Sequence, residues 1–232
     1  MLHNQRNVVK QFTVSYTIAT GTPQTTTVVV KSFKIPSPIQ GWIYAHWRPS
    51  KAKRSFEYAK KLQTLGINTH RPLAYTENFV KGKLRESYFF SELIEHDFTI
   101  RDILNQGDHA DLDIIRQFTA FTYAMHQKNV LHLDHSPGNT LVKKHGSTYH
   151  FFIVDINRMQ FKKVDLRTGL KNFARLSNNL TIIKCIADCY AVYKQTESET
   201  CYRLLRQYQL QESQLRARKQ RMKCITKKLL GR

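Results

Sequence analysis

The sequence predicts an α+β protein of two lobes, a small antiparallel β lobe carrying one helix and a larger, mainly helical lobe. Up to about residue 94 the apolar residues fall in β-branched and aromatic runs separated by Gly- and Pro-bearing turns, the signature of strands and hairpins. After Glu95 the apolar spacing changes to every third or fourth residue, that of amphipathic helices. With 232 residues, 41% of them hydrophobic and 11% aromatic, the chain can bury a core and is not of the disordered class.

The elements follow in order. NVVKQFTVSYTI (7–18) and TTTVVVKSFKI (25–35) read as strands, with turn chemistry around Gly21 between them. Pro36 and Pro38 end that pattern. From Pro49 the spacing turns helical, with Ala52, Phe56, Ala59 and Leu62 on one stripe, Leu65 beyond and Gly66 as the stop. RPLAYTENF and ESYFFSELI form a second strand pair around a turn at Gly82. The lobes are expected at 1–94 and 95–232. In the second, FTIRDILNQ is a short amphipathic piece, and DLDIIRQFTAFTYAMHQKN places Ile114, Phe118, Phe121 and Met125 on one face. NVLHLDHSPGNTLV follows, then a KKHGST turn and the apolar strand YHFFIVDIN. Everything past residue 168 has helical spacing, and the chain closes on a basic tail.

Charge and cysteines narrow the function classes. The net charge of +20 implies a polyanionic partner, whether nucleic acid, an anionic membrane face or a phosphorylated substrate. Residues 203 to 232 hold ten Lys or Arg against one acid, Glu212. No run approaches the roughly 18 apolar residues of a membrane span. The first ten residues carry no apolar leader, so the chain reads as cytosolic. Cysteines at 185, 189, 201 and 224 form no CxxC pair and read as buried free thiols, not metal ligands.

The stretch around residue 134 carries the chemistry. In His132-Leu133-Asp134-His135-Ser136-Pro137-Gly138-Asn139 an acid and an amide, both poor strand formers, sit on a turn between two apolar strands. Sixteen residues past Asn139, Asp155 ends the run FFIV. A carboxylate there is expected to face a cleft, because burying it unpaired is costly. Asp134, Asn139 and Asp155 have the spacing of kinase chemistry, which makes the two-lobed prediction a protein-kinase-like one. One Asp accepts the proton of a substrate hydroxyl, while the Asn and second Asp hold Mg²⁺ on the phosphates of ATP. The small lobe supplies Lys31 at the end of a three-valine strand, as a phosphate-reaching lysine, and Glu57 on the following helix as its ion-pair partner. Each residue also has a plainer reading. Lys34 competes with Lys31, Glu57 is placed to pair with Lys53 or Lys61 one turn away, and His135 is either a substrate contact or a turn residue. His132 reads as structural, bonding backbone near the loop.

Across residues 8 to 225 the sequence resembles the bacterial lipopolysaccharide kinases, the Kdo and heptose kinases with a protein-kinase-like fold. The resemblance rests on WRPSKAKRSFEYAKKLQTLGINTHRPLAY, HLDHSPGNTLV and IVDINRMQF, the last placing Asp-x-Asn-Arg where protein kinases have Asp-Phe-Gly. It implies Asp134 as base, Asn139 and Asp155 as metal ligands, Lys31 and Glu57 as the phosphate-side pair, and Ser91-Glu92-Leu93 as the segment whose backbone holds adenine. It implies ATP and Mg²⁺ as cofactors. Its acceptor would be a sugar hydroxyl of an anionic glycolipid, the lipid A–core, at the cytoplasmic face of the inner membrane. It also implies a Gly-rich loop over the phosphates, which this chain lacks, so the first strand and that loop are expected to be truncated. His135, Arg158 and the region of His46 and Trp47 are candidate sugar-side positions.

Rival readings are a kinase for a soluble small molecule or a protein, or an inactive kinase-shaped protein that binds anionic surfaces. The basic tail suits an anionic bilayer, where each cation near the surface contributes about 1 kcal/mol, or nucleic acid. No RNP, zinc or helix-turn-helix signature supports the nucleic-acid reading.

Overall fold

A four-stranded antiparallel sheet and two helices make up most of the first of two units into which the chain divides. The computed structural model describes residues 7–17 and 23–229; the turn expected around Gly21 lies outside them. The first unit comprises Met1–His96 and takes back a later segment, Phe152–Arg158, while Asp97–Phe151 and Met159–Arg232 form the second. A single boundary at 94/95 puts that later segment in the second lobe instead.

In the first unit β1 (Val8–Thr17), β2 (Pro23–Ser32), β3 (Pro72–Val80) and β4 (Lys83–Glu92) pair in the order β1-β2-β4-β3. β3 and β4 meet at a two-residue turn, Lys81 and Gly82, both with positive φ as such hairpins require. A register shift near Asn78 changes which residues of β4 face inward, so that Leu84, Ser87, Phe89 and Ser91 are all buried.

Two helices, not the expected one, accompany this sheet. α1 (Pro38–His46) occupies the stretch read as broken by prolines. The signal was present, since Pro38 sits in the first turn, where its missing N–H is harmless, and Ser37 is the N-cap, accepting from the Gln40 N–H. α2 (Lys51–Thr64) is capped by Ser50 and buries Ala52, Ala59 and Leu62 completely. Phe56, expected on the same stripe, is half-buried and packs against the Tyr75 ring. The segment Phe152–Arg158 is tied to this unit by the Ile153 N–H on the Asn68 carbonyl and the Thr69 hydroxyl on the Ile153 carbonyl, at 3.0 and 2.7 Å.

The second unit contains β5 (Phe98–Thr99), α3 (Ile100–Leu104), α4 (Leu112–Gln127), β6 (Val130–His132), β7 (Thr140–His145), β8 (Thr148–Ile153, its end entering the first unit), β9 (Met159–Phe161), α5 (Leu166–Phe173), α6 (Leu180–Lys194) and α7 (Ser198–Leu229). Its core gathers Ile114, Ile115 and Phe118 of α4 with Leu170 and Phe173 of α5, Ile182, Ile186 and Tyr190 of α6, and Cys201 and Leu205 of α7. Apolar side chains at these spacings are the inner stripes of amphipathic helices. β6 pairs antiparallel with β9, which holds the loop after His132 at a fixed exit point.

The basic tail is the second half of a longer helix. The first half of α7 packs through Cys201, Leu205 and Gln209, each four residues on, while Arg216, Arg218, Lys219 and Arg221 are exposed. Cys224 is exposed as well and Cys189 is half-buried, against the expectation that all four thiols are buried. Among the described residues no helix is long and apolar enough to cross a membrane.

Candidate active site

In the first unit, Lys31 on β2 reaches Asp155, 124 positions away, with Nζ 2.6 Å from Oδ1. Strand pairing opposite Phe89 fixes where the lysine leaves the sheet. The ring of Phe33, 5.5 Å from Nζ, lies beside it. Asp155 follows the end of β8 with φ at +55°, a left-handed conformation uncommon for a residue other than glycine. Strain of this kind persists where surrounding structure enforces it, and it collects at functional sites. Here the Asn68 and Thr69 bonds to Ile153 supply the constraint from one side. Asn157 supplies it from the other, its side-chain amide donating to Asp155 Oδ1 at 2.5 Å.

This corner is strongly cationic. Burial, then Arg54, Lys31 and Arg158, push the Lys51 ammonium down from its ordinary pKa, with Asp155 opposing. Burial, with Lys31 adding to it, pushes His70 down to about 4. Lys31, Arg54 and Arg158 all act on Lys51, and such an accumulation of positive charge suits an anionic ligand such as a chain of phosphates.

The two plainer readings weighed for this region resolve differently. Lys34 is exposed, and it is Lys31 that meets an acid. Glu57 does not meet Lys31: it is exposed and faces Lys53 at 4.0 Å, one helical turn back. The reason is its place on α2, off the buried stripe of Ala52, Ala59 and Leu62, and the acid that Lys31 meets is Asp155 in its stead. In the segment matched to the adenine hinge, the Glu92 and Leu93 N–H groups already donate to the Arg71 and Thr27 carbonyls. The Glu92 carboxylate is held by Arg71 at 3.0 Å. An adenine contact from this segment must therefore use other groups.

In the second unit, Asp134 sits on the turn between β6 and a short 3-10 turn, Pro137–Asn139. The turn is bound internally. His132 Nδ1 accepts from the Asp134 N–H at 3.0 Å, and the Asn139 side-chain amide donates to the Asp134 carbonyl at 2.8 Å. That bond uses one N–H of the Asn139 side chain, whose carbonyl oxygen is an acceptor. The Asp134 carboxylate is gripped by Arg175, Nη1 to Oδ1 at 2.8 Å. Arg175 in turn faces Glu212 of α7, Nε to Oε2 at 3.9 Å, and its carbonyl accepts from Arg216.

A buried relay braces the turn from behind. Asn172 donates to the His132 carbonyl at 2.8 Å, and its own carbonyl lies 3.1 Å from His126 Nε2. Since that carbonyl can only accept, Nε2 carries the proton and Nδ1 accepts from the Tyr190 hydroxyl at 2.9 Å. Burial pushes His126 down to about 4, so the ring stays neutral and the relay keeps its direction. Gly169 makes room for it, since a Cβ there would run into the Tyr190 hydroxyl.

His135 is neither turn surface nor substrate contact. It is 1% exposed and stacks on Phe118 at 5.5 Å. Burial, followed by His132 and His126, pushes its pKa well down. Its apolar surroundings make it a core residue.

Sequence reasoning missed Arg175, Asn172, Asn157 and Lys51. Asn157 stood in the quoted IVDINRMQF run and could have been read as a brace for Asp155. Arg175 and Asn172 lie about forty residues beyond the loop they support, with no motif spacing to mark them.

Asp155 and Asn139 each present an oxygen, the donor type a hard divalent cation takes. Among the described residues no group of three or more His, Cys, Asp or Glu forms a metal cage. Taken separately, in the first and second units, each oxygen suits Mg²⁺ of the kind that draws most of its ligands from phosphates and water.

The sequence matches the lipopolysaccharide kinase (Kdo/WaaP) family over residues 43–208. No curated protein matches it. Among solved structures it resembles WaaP in complex with acyl carrier protein, with a TM-score of 0.57 at 14% identity over 88% of this chain and 85% of that one. At that identity the likeness speaks for the fold, which is the kinase-like α+β fold expected. The family match extends over most of the chain, from α1 into α7, and includes Asp134, Asn139 and Asp155. The chain therefore belongs to the lipopolysaccharide kinase (Kdo/WaaP) family, phosphotransferases that act on sugar hydroxyls of lipopolysaccharide.

Proposed function

We propose that the chain transfers the γ-phosphoryl group of ATP to a Kdo or heptose hydroxyl of the lipid A–core, with the first unit binding nucleotide and the second accepting the proton. The observation that carries this reading is the Lys31–Asp155 contact at 2.6 Å, beside the cationic surroundings of Lys51. Lys31 would hold the nucleotide phosphates, with Lys51 adding to the local field. Asp155 and Asn139 would hold Mg²⁺, which when bound neutralises charge on the transferring phosphates.

Asp134 takes the part of base. The acceptor oxygen forms its bond to the γ-phosphorus as the bond to the ADP oxygen breaks, and the hydroxyl proton passes to the Asp134 carboxylate. Arg175 and the His132 ring hold that carboxylate and its backbone in one orientation, so no reorganisation accompanies the proton transfer. The acceptor is a membrane lipid, which puts the enzyme at the cytoplasmic face of the inner membrane as a peripheral protein.

The test is Asp134→Asn assayed with labelled ATP, Mg²⁺ and lipopolysaccharide lacking the core phosphate. Transfer should fall by about 10²–10⁴-fold, the range a general base contributes, while nucleotide affinity stays near that of the unaltered chain. Undiminished transfer by this variant would remove Asp134 from the mechanism.

A further inference from the structure

The outer face of α1 is apolar and uncovered. Ile39 is 75% exposed, Trp47 78% and Trp42 42%, and these are the only two tryptophans of the chain. The tryptophan rings pack on one another at 5.3 Å, and the His46 ring lies against Trp42 at 5.0 Å. The patch is therefore held as one unit. The opposite face of α1 is pressed onto the sheet at Gly41, where a Cβ would come within 2.7 Å of the Leu84 carbonyl, so the helix cannot roll to hide its tryptophans. Leaving this much aromatic surface in water is unfavourable, and a patch of this kind marks an interaction site.

The surrounding charge identifies the partner. Residues 1 to 56 contain no Asp or Glu at all, against eight Lys or Arg. Lys34 and Arg48 at the two ends of α1 are exposed. Indole rings on a helix that carries no carboxylate and has Lys34 and Arg48 at its ends match the headgroup level of an anionic bilayer, where tryptophan is favoured and Lys and Arg meet lipid phosphates.

We propose that α1 seats the enzyme on an anionic phospholipid surface, with Ile39, Trp42 and Trp47 entering the headgroup layer. This rests on the reading of a membrane-lipid acceptor, and it assigns the contact to α1 instead of to the basic second half of α7.

Because both tryptophans lie in the patch, intrinsic fluorescence reads the contact directly. The full chain is mixed with vesicles of phosphatidylethanolamine and phosphatidylglycerol, free of lipopolysaccharide and nucleotide. A blue shift of the emission, and quenching by spin labels placed near the headgroups, are the expected results. The Trp42→Ser/Trp47→Ser double variant, followed by co-sedimentation, should bind the same vesicles at least about tenfold more weakly, a loss of about 1.4 kcal/mol. Co-sedimentation without blue shift or quenching overturns the proposal, since the chain would then be held by α7 or another basic surface. Absence of any binding, or equal binding by the double variant, overturns it too. Transfer to a detergent-dispersed acceptor is measured separately: activity with no vesicle contact sinks this inference alone, and contact without activity sinks the kinase reading alone.

Discussion

Arg175 offers the sharpest test of how the second unit holds Asp134, the proposed base. Replacing it with alanine removes the 2.8 Å bond to Asp134 Oδ1 and the approach to Glu212. The effect on stability should be small. Arg175 is 37% exposed and Asp134 26%, and ion pairs as open to water as this contribute about 0–1 kcal/mol. The effect on catalysis should be larger, because a carboxylate that loses the Arg175 bond is less tightly oriented. A misplacement of about 1 Å costs on the order of 10²-fold in rate. We expect kcat to fall by about 10- to 100-fold, which is about 1.4–2.8 kcal/mol of transition-state stabilisation, with KM for ATP little changed. Arg175→Lys should retain part of the rate, since an ammonium can reach Asp134 but cannot face Glu212 at the same time. The assay is steady-state transfer from labelled ATP to lipopolysaccharide, with kcat and KM separated, alongside thermal unfolding of each variant. A kcat within about twofold of the unaltered chain, or a loss matched by loss of folded protein, would refute the positioning role.

Three further outcomes follow from the same geometry. Lys31→Met should weaken ATP binding and cut transfer while leaving Asp155 in place through Asn157, as titration with a fluorescent nucleotide will show. Gly169→Ala should destabilise the second unit by about 2–4 kcal/mol, through overpacking against Tyr190 and loss of its bond to His126; urea unfolding measures it. Stability should fall as pH drops from about 6.5 to about 4. His126 is held neutral with its pKa at about 4 against 6.5 unfolded, so across that window the unfolded chain takes up a proton that the folded one refuses. That gap alone amounts to about 3 kcal/mol, His135 acts in the same direction, and His126→Asn should flatten the slope of unfolding free energy against pH.

How much of this was legible in the sequence depended on whether a signal was local. The turn that carries Asp134 and Asn139 could be read because both residues break an apolar pattern within a few positions of each other. Asp155 stood out for the same reason, a carboxylate closing a run of Phe, Ile and Val. Helix α1 carried a local signal too, Ser37 as cap and Pro38 in the first turn, but the two prolines were read as breakers only. The choice between Lys31 and Lys34 was not local. It depended on which lysine the β2–β4 register sends toward a segment 124 residues later in the chain.

Glu57 shows why a position carried over by resemblance needs the packing to decide it. A helix residue can pair with a strand lysine only if it lies on the stripe that faces the sheet, and in α2 that stripe runs through Ala52, Ser55, Ala59 and Leu62. Glu57 falls between those positions, where a lysine one turn back is its natural neighbour. Lys51, at the start of the same helix, instead contributes a positive charge to the surroundings of Lys31 and Asp155. On the proposed reading Asp155 has two tasks, to hold Lys31 in place and to serve the metal. On this reasoning Asp155→Asn should do more than lower metal affinity. It should free Lys31 among three other cations, and nucleotide should still bind without Mg²⁺ while transfer is lost. Measured by nucleotide titration with and without the metal, equal loss of both binding modes would show that Lys31 depends on Asp155 for its place.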